Sequence, residues 1–342
     1  MHSAPDFIPA TVIEADTIAG DVRRLRIRPD HGFARAEPGS HCTFAVNLGG
    51  LERERSYSVV SDEGGAWTIA VRHLENGRGG SRFMAGLDVG DRLRVAPPAN
   101  HFQLSPMSPD YLLIAGGIGI TPILSMARSL TKRPNLRLLY GGRTRESMAF
   151  VDDLAGMLGE RLTLFVENDG QAIDFPREFV KLHPEGEAYI CGPNAMLQAA
   201  RHAWAASGRS PALLRFETFG ASGSRENEPF LVHVRDHNTT IEVPRDASLL
   251  DTLNRHGIEL AQDCVRGECG LCAIEVVGEA ELDHRCVFLS DEQRRAGHKI
   301  CACVSRAVGE ITIDTGFRPG LDRINPAKAV ARSGAGRQRL GG

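Results

Sequence analysis

Short runs that alternate apolar and polar side chains fill the first third of the chain. Residues 22–28 read Val-Arg-Arg-Leu-Arg-Ile-Arg, which is the period-two pattern of a half-buried strand. The same kind of pattern, with Gly, Pro and Asn turns between the runs, predicts strands at 41–48, 56–60, 67–73 and 91–96. Many short strands without a long amphipathic helix favour an antiparallel barrel, which we assign to residues 1–105.

The pattern changes in the second third, where continuous apolar runs alternate with helical stretches. Residues 111–115 have the length and composition of a buried strand, and a glycine-rich turn and a helix over 123–130 follow. Further strands are predicted at 136–140, 162–166 and 187–190, and further helices at 147–157 and 194–207. This alternation predicts an α/β domain with a parallel sheet and helices on both faces, over residues 106–220.

Short strands return in the last third. Residues 230–235 and 240–244 predict a hairpin, a helix capped by Ser248 follows, and strands are predicted at 273–277 and 310–314. We assign residues 229–318 to this third domain. The stretch 221–228, rich in Ser, Gly and charged residues, is the predicted linker before it. Residues 319–342, rich in Gly, Arg and Ala, are predicted to be a disordered tail.

Cysteine spacing supplies the strongest chemical signal. Cys264, Cys269 and Cys272 form a C-x4-C-x2-C motif, and Cys303 lies far downstream. This is the plant-type spacing for a 2Fe-2S cluster, which four thiolates bind. Zinc ribbons use two symmetrical C-x2-C pairs, and this chain has one. Spacing alone leaves Cys301 as an alternative to Cys303, because residues two apart on a strand face the same side.

Composition and charge exclude several classes of function. The length of 342 residues predicts two or three domains, and a formal net charge of -3 gives no sign of nucleic-acid binding. The longest apolar run, at 111–126, is short for a membrane span and contains glycines and a proline, and the N-terminus lacks the pattern of a signal peptide. We therefore expect a cytoplasmic protein whose eight cysteines are thiols or thiolates.

Two stretches of the predicted barrel have the residue types of a ligand site. Arg55-Ser56-Tyr57-Ser58 combines a cation, hydroxyls and an aromatic ring, and alternate side chains of a strand project to one face. In the stretch 78–81, which reads Arg-Gly-Gly-Ser, two glycines let backbone amides approach an anion while Arg and Ser add donors. Either stretch alone is also compatible with a solvated strand face or a simple turn.

The second domain carries a predicted nucleotide site. The strand at 111–115 runs into Gly116-Gly117-Ile118-Gly119-Ile-Thr121-Pro122 and then a helix, so backbone amides and the helix N-terminus face an anion. Pro122 stands where the dinucleotide motif has its third glycine. Cys191-Gly192-Pro193 follows another strand, at the edge where such sheets bind ligands. The alternative to a ligand-binding role is that Cys191 is only a small buried hydrophobic residue.

Together and in this order, these motifs resemble those of the phthalate dioxygenase reductase family, and within it the vanillate demethylase reductases. The likeness also includes Asp283-His-Arg285 and the Val-Ser-Arg-Ala that follows Cys303, and it extends to about residue 317. It implies a flavin barrel, a nicotinamide domain and a C-terminal β-grasp ferredoxin domain. The context after Cys303 is that of the fourth ligand in ferredoxin-type domains, so the resemblance selects Cys303. Cys286 and Cys301 depart from the family pattern.

The resemblance implies FMN at the barrel edge, NAD(P)H at the nucleotide turn, and a 2Fe-2S cluster. Cys191 is expected near the nicotinamide and Phe219 beside the flavin, and Ser58 and Cys191 are the expected catalytic residues. The expected metal ligands are Cys264, Cys269, Cys272 and Cys303. The expected cofactor-binding residues are Arg55, Ser56, Tyr57, Ser58, Arg72, Arg78, Gly79, Gly80, Ser81, Gly116, Gly117, Ile118, Gly119, Thr121, Pro122, Arg143, Cys191, Gly192, Pro193 and Phe219.

The three modules together predict an electron-transfer enzyme. A nicotinamide gives up electrons as a hydride pair, a cluster accepts one at a time, and a flavin accommodates both. The resemblance implies the reductase component of an oxygenase system, with a terminal, often Rieske-type, oxygenase as acceptor. Alternatives are an FAD reductase of the same chemistry and a redox-sensing protein that binds the nucleotide without turnover.

The choice of nicotinamide stays open on the residues. Arg143 and Arg145 follow the strand at 136–140, where an acidic residue would indicate a ribose 2′-hydroxyl and an arginine can accept a 2′-phosphate. The family resemblance favours NADH.

Overall fold

The computed structural model describes residues 6–75, 77–219 and 225–316. The predicted tail at 319–342 and the first half of the predicted linker, 221–224, lie outside the described residues. No helix within the described ranges has both the length and the apolar character required to cross a lipid bilayer.

Six antiparallel strands and a short helix form a closed barrel in the order β1-β2-β5-β4-β3-β6. The elements are β1 (Ile8–Ala19), β2 (Val22–Pro29), β3 (His41–Leu48), β4 (Leu51–Ser61), β5 (Trp67–Arg72), α1 (Gly80–Ala85) and β6 (Arg92–Ala99). The alternation in β2 places Leu25 and Ile27 in the interior beside Trp67 and Phe44, all fully buried. Its arginines face outward and pair with acidic residues of β1, such as Arg24 with Asp16.

A five-stranded parallel sheet forms the second domain, in the order β11-β10-β7-β8-β9. Its elements are β7 (Tyr111–Gly116), α2 (Ile120–Ser129), β8 (Leu136–Gly142), α3 (Val151–Leu158), β9 (Leu162–Val166), α4 (Phe175–Val180), β10 (Glu187–Cys191), α5 (Asn194–Ala206) and β11 (Leu214–Glu217). Strand β7 lies in the middle and is buried along its whole length, which explains its continuous apolar sequence. The sequence pattern missed α4 and β11.

The helix expected at 147–157 begins only at Val151. Thr144 caps a separate short turn over Arg145–Ser147, and Phe150 adopts a positive φ of 60° between the turn and the helix. The capping box at Thr144 and the left-handed backbone of Phe150 therefore interrupt a segment whose composition is helical throughout.

The third domain has a mixed five-stranded sheet in the order β13-β12-β18-β14-β16, in which β12 and β18 are parallel. Its elements are β12 (Phe230–Val234), β13 (Thr239–Val243), α6 (Leu249–Arg255), β14 (Ala273–Val277), β15 (Leu282–Asp283), α7 (Asp291–Ala296), β16 (Lys299–Cys301), β17 (Arg306–Ala307) and β18 (Glu310–Asp314). The predicted fold class, an antiparallel barrel followed by a parallel-sheet domain and a ferredoxin-type domain, is confirmed.

Two buried arginines hold the chain that enters this third domain. Arg285 donates to the side-chain oxygen of Asn227 at 2.6 Å and to the carbonyl of Arg225 at 3.1 Å. Arg306 donates to the carbonyl of Glu228 at 2.8 Å. Both arginines are about 5 % exposed, so residues 225–228 supply hydrogen-bond acceptors to the interior of the domain.

Candidate functional site

The cysteine loop between α6 and β14 is shaped by two glycines. Gly267 and Gly270 have φ values of 80° and 76°. A Cβ atom on Gly267 would lie 2.7 Å from the side chain of Val304, and one on Gly270 would lie 2.3 Å from the ring of Phe288. Both positions therefore require glycine, for backbone conformation and for space.

Backbone amides in this loop point at the first thiol. The Sγ of Cys264 accepts from the amides of Arg266, Glu268 and Cys269 at 3.4, 3.3 and 3.4 Å. Amide hydrogen bonds to sulfur stabilise the negative charge of an iron–sulfur centre. The loop is thus arranged for a thiolate.

The four predicted ligands lie as two pairs. The Sγ atoms of Cys272 and Cys303 are 3.1 Å apart, and the Cys264 thiol hydrogen-bonds that of Cys269. Within the described residues, no three side chains of ligand type surround a single point. A cluster with two irons uses two thiolates on each, so this paired donor set fits a 2Fe-2S group better than a single ion.

Cys286 and Cys301 lie in the same buried region. Hydrogen bonds from Cys301 and then from Cys303 lower the pKa of Cys272 to about 3, and Cys301 also hydrogen-bonds Cys286. Cys301 and Cys303 are both fully buried. Because both contact Cys272, the assignment of Cys303 as the fourth ligand stays a prediction.

The residues predicted to bind an anion lie together on the barrel where β4 meets α1. Arg55 donates to the carbonyls of Glu54 at 2.8 Å and Arg78 at 3.3 Å. Burial, and then the like charge of Arg78, lowers the pKa of Arg55, and burial lowers the pKa of Arg78. Within the described part of the chain, neither guanidinium forms an ion pair with a carboxylate. The charge of Asp251 acts on both arginines without forming an ion pair. Two adjacent half-buried cations fit the phosphate of a flavin.

The glycines of this site keep the arginine in place. Gly79 has a φ of 80°, and a Cβ on Gly80 would lie 2.5 Å from the Nε of Arg55. The hydroxyl of Ser81 accepts from the amide of Leu74 at 3.1 Å and thereby closes the loop. The loop predicted from sequence therefore lies directly against Arg55.

The other predicted barrel residues divide between two faces. Tyr57 packs on the buried Phe44 with ring centroids 5.9 Å apart. Ser58 is buried and lies opposite His41 in the register of β3 and β4. Ser56 is exposed, and its hydroxyl bonds that of Thr43 at 2.9 Å, so it lies on the strand face opposite to Arg55 and Tyr57.

Arg72 connects the barrel to the second domain. Its Nε donates to Asp21 at 2.7 Å, and its Nη1 lies 3.7 Å from the Cβ position of Gly117. Arg72 is therefore beside the glycine-rich turn. Burial lowers the pKa of nearby His41 to about 4, with the charges of Arg266 and His101 as smaller causes, so His41 is neutral.

Two turns at the carboxyl ends of β7 and β10 pack backbone to backbone. A Cβ on Gly119 would lie 2.2 Å from the carbonyl oxygen of Cys191, and one on Gly116 would lie 2.6 Å from Pro193. A Cβ on Gly192 would lie 3.1 Å from the backbone of Gly116. The structure thus brings the predicted nucleotide residues into one crevice beyond the strand ends. Thr121 and Pro122 are buried in the first turn of α2, where the Thr121 hydroxyl donates to the carbonyl of Ile118 at 3.0 Å.

Glu217 joins this crevice and was missed from the sequence. It is paired in register with Cys191 on the neighbouring strand and is 2 % exposed. Burial raises its pKa to about 7, although Arg266 of the third domain forms an ion pair with it. Burial, and then the charge of Glu217, raises the pKa of Cys191. Predicting Glu217 would have required predicting β11, but its four residues are too few to show a strand periodicity.

Two predicted residues lie at the rim. Phe219 follows β11 and is 39 % exposed. Arg143 follows β8 and is exposed, and its carbonyl accepts from the amide of Asn168 at 3.1 Å.

The cysteine loop contacts both other domains at this crevice. Besides its ion pair with Glu217, Arg266 lies 3.5 Å from the ring of His101 at the end of the barrel. A cleft of about 370 Å³ separates the three domains here, lined by His101, Phe216, Asp263, Cys264, Arg266, Glu268 and Cys269. The cysteine loop therefore contacts the barrel at His101 and the second domain at Glu217, beside Cys191.

Comparisons with known proteins match each domain. Family models match at residues 9–104 (oxidoreductase FAD-binding domain), 113–202 (oxidoreductase NAD-binding domain) and 232–308 (2Fe-2S iron-sulfur cluster binding domain). The phthalate dioxygenase reductase of Burkholderia cepacia is 34 % identical over 90 % of this chain and 97 % of its own. The vanillate O-demethylase oxidoreductase of Acinetobacter baylyi is 32 % identical over 81 % of this chain and 88 % of its own.

The solved structures include one of similar overall organisation. A phthalate dioxygenase reductase, described as a modular structure for electron transfer from pyridine nucleotides to 2Fe-2S, superposes with a TM-score of 0.73 at 32 % identity. It covers 90 % of this chain and 98 % of its own.

Proposed function

The chain belongs to the phthalate dioxygenase reductase family, and from this premise we propose that it carries electrons from NADH through FMN and a 2Fe-2S cluster to a terminal oxygenase. It is a flavin, nicotinamide and iron–sulfur oxidoreductase, the reductase component of an oxygenase system. One observation supports the proposed route: Arg266 of the cysteine loop contacts both His101 at the end of the barrel and Glu217, which is paired in register with Cys191 of the nucleotide crevice.

Each domain contributes binding and orientation. The guanidiniums of Arg55 and Arg78 would hold the flavin phosphate, and the packed turns at Gly116 and Cys191 would hold the dinucleotide at the carboxyl edge of the sheet. The four cysteines would hold the cluster. The flavin, when bound, supplies the change from hydride pairs to single electrons. NADH-dependent reduction of cytochrome c by the cofactor-loaded protein tests this function, and a loaded protein without turnover would favour the redox-sensing alternative.

The environment of the anion site supports FMN over FAD. Arg78 is close enough to Asp251 and Arg285 of the third domain for each to affect its pKa, and Asp251 also acts on Arg55. The two arginines are therefore close to residues of the third domain, which favours the smaller FMN at this site. Chromatography of the flavin released by denaturation tests the assignment, and FAD as the released species would contradict it.

Charges at the rim of the sheet support NADH. The loops after β8 and β9 are joined by the bond from Asn168 to Arg143, and the second loop contributes the exposed Glu167 and Asp169. Arg145 is already paired with Asp152 at 2.9 Å. Acidic side chains here disfavour a 2′-phosphate. A kcat/KM for NADPH above that for NADH would contradict this proposal.

The terminal acceptor is proposed to be a Rieske-type oxygenase. Reconstitution of NADH-dependent substrate oxidation with the cognate oxygenase component is the direct test, and co-purification of a red iron–sulfur protein with this chain would support it.

A further inference from the structure

The third domain is attached to the second domain by two separate sets of contacts. The first, which we call the loop contact, joins Arg266 and Glu268 of the cysteine loop to Glu217 and Thr218 at the end of β11. The second, the helix contact, joins the segment 285–291 to α5. Only the loop contact involves residues inside the C-x4-C-x2-C motif, between Cys264 and Cys269.

The loop contact is dense and buried. Glu268 accepts from the amide of Thr218 at 2.5 Å and from its hydroxyl at 2.9 Å. The same hydroxyl lies 3.0 Å from the carbonyl of Arg266. The ion pair between Arg266 and Glu217 has exposed side-chain fractions of 15 % and 2 %. Buried charge pairs across an interface fix its register, and truncation of one partner leaves the other charge unpaired.

Arg266 and Glu268 each contact both a predicted cluster ligand and the second domain. Their backbone amides donate to the Sγ of Cys264, while their side chains hold the neighbouring domain. The loop therefore cannot shift relative to β11 without disturbing a predicted cluster ligand. Glu217, at the other end of the contact, lies beside Cys191 in the nucleotide crevice.

We propose that Arg266 and Glu268 are positioning residues for electron transfer from the flavin to the cluster. Their side chains hold the cysteine loop against the end of β11, and Arg266 also contacts His101 of the barrel, so together they fix the distance over which single electrons cross between domains. Each transfer moves one electron from reduced flavin to oxidised cluster, with NADH as the source of the pair. The inference rests on the proposed function.

The helix contact provides the matched control. Asn194 donates to the carbonyl of Arg285 at 2.9 Å, Arg201 donates to that of Val287 at 2.6 Å, and His202 contacts Asp291 at 2.9 Å. Val287 is buried in the core of the second domain. This contact keeps the third domain attached when the loop contact is removed. Loss of the loop contact should therefore loosen the cysteine loop without separating the domains.

The experiment compares two rates in the holoenzyme. After anaerobic mixing with NADH, flavin reduction is followed by absorbance and cluster reduction by freeze-quenched electron paramagnetic resonance. In Arg266→Met and Thr218→Val we expect cluster reduction to be about tenfold slower, with flavin reduction within about twofold of the wild type. Arg266→Lys should restore part of the rate, and His202→Gln should leave both rates unchanged.

A second measurement does not depend on turnover. Hydrogen–deuterium exchange of the holoenzyme should become faster at 214–219 and 264–272 in Arg266→Met and Thr218→Val, and stay unchanged there in His202→Gln. If Arg266→Met loses its cluster, Thr218→Val decides, because Thr218 lies outside the loop. Unchanged cluster reduction or unchanged exchange in Thr218→Val would overturn the proposal. Absence of NADH-driven reduction in the wild type would instead overturn the proposed function.

Discussion

Arginines at the barrel edge and in the cysteine loop are placed in opposite electrostatic surroundings. Arg55 donates to the carbonyl of Arg78, and within the described residues neither guanidinium forms an ion pair with a carboxylate, although the charge of Asp251 acts on both. Arg266 is held by the buried carboxylate of Glu217. Cations that form no ion pair attract an anionic ligand, whereas a paired cation fixes the position of two protein segments. The presence or absence of an ion pair therefore distinguishes a ligand-binding site from a contact between domains, although both contain half-buried arginines.

The largest expected effect is loss of the cluster in a Cys303 variant whose barrel site stays intact. Cys303→Ser should abolish or severely destabilise the cluster, because a predicted thiolate ligand is lost. Flavin reduction by NADH should persist, since those sites lie in other domains. Visible absorbance and electron paramagnetic resonance measure the cluster, with Cys301→Ser and Cys286→Ser as matched controls. Loss of the signal in Cys301→Ser and its retention in Cys303→Ser would move the ligand by two residues.

The next effect is confined to the barrel. Arg55→Met should weaken flavin binding by about tenfold to a hundredfold, because a hydrogen bond to a charged group contributes about 1.5–3 kcal/mol. The cluster signal should remain. Titration of the apoflavoprotein with FMN and with riboflavin measures both the loss and its cause. An equal weakening for riboflavin, which lacks the phosphate, would show that Arg55 does not act through the phosphate.

A smaller effect is expected when the space beside Arg55, which Gly80 leaves open, is filled. Gly80→Ala puts a Cβ 2.5 Å from the Nε of Arg55, so the guanidinium must move. We expect weaker FMN binding than in the wild type but tighter binding than in Arg55→Met. Gly49→Ala is an unsuitable control because Gly49 has a φ of 61°. Gly156→Ala is suitable, since its added Cβ meets nothing within 4 Å, and it should bind FMN normally.

The smallest effect depends on pH at the paired arginine. Burial raises the pKa of Glu217 to about 7, and the charged and titratable groups around it are Arg266, Glu268 and Cys191. Below this pH Glu217 is protonated and the ion pair with Arg266 is lost. Cluster reduction should therefore slow by a few-fold, roughly, as pH falls through 7. An Arg266→Met enzyme with the same pH profile would contradict this cause.

Global stability should respond to Glu217 in the opposite sense. The folded protein holds this proton more tightly than an unfolded chain, where the ordinary pKa is 4.5. The contribution of Glu217 to stability is therefore fully present at acid pH and is lost as pH rises through about 7. Denaturant unfolding in Glu217→Gln, compared with the wild type across this range, measures the difference.

The fold and the local motifs could be predicted from the sequence because both depend on residues that are close together in the chain. Alternation in β2 and the apolar run of β7 identified their domains, and cysteine spacing identified the loop. Glu217 and its contact with Arg266 join positions 49 residues apart on different domains. No periodicity marks such a pair. The four residues of β11 carry too little pattern to show that Glu217 ends a strand beside Cys191.

The buried arginines Arg285 and Arg306 also bear on how this module can be exchanged between proteins. A fragment that starts at residue 229 lacks the acceptors at Arg225, Asn227 and Glu228 and keeps both guanidiniums in its interior. Arg306 would keep the carbonyls of Ala247 and Pro244, but Nη1 of Arg285 would lose its acceptor. A buried donor without a partner is costly, so a recombination joint at that point would weaken the transplanted domain. A joint at or before residue 225 carries these acceptors along with the domain. Residues 225–228 are thus a structural part of the cluster domain.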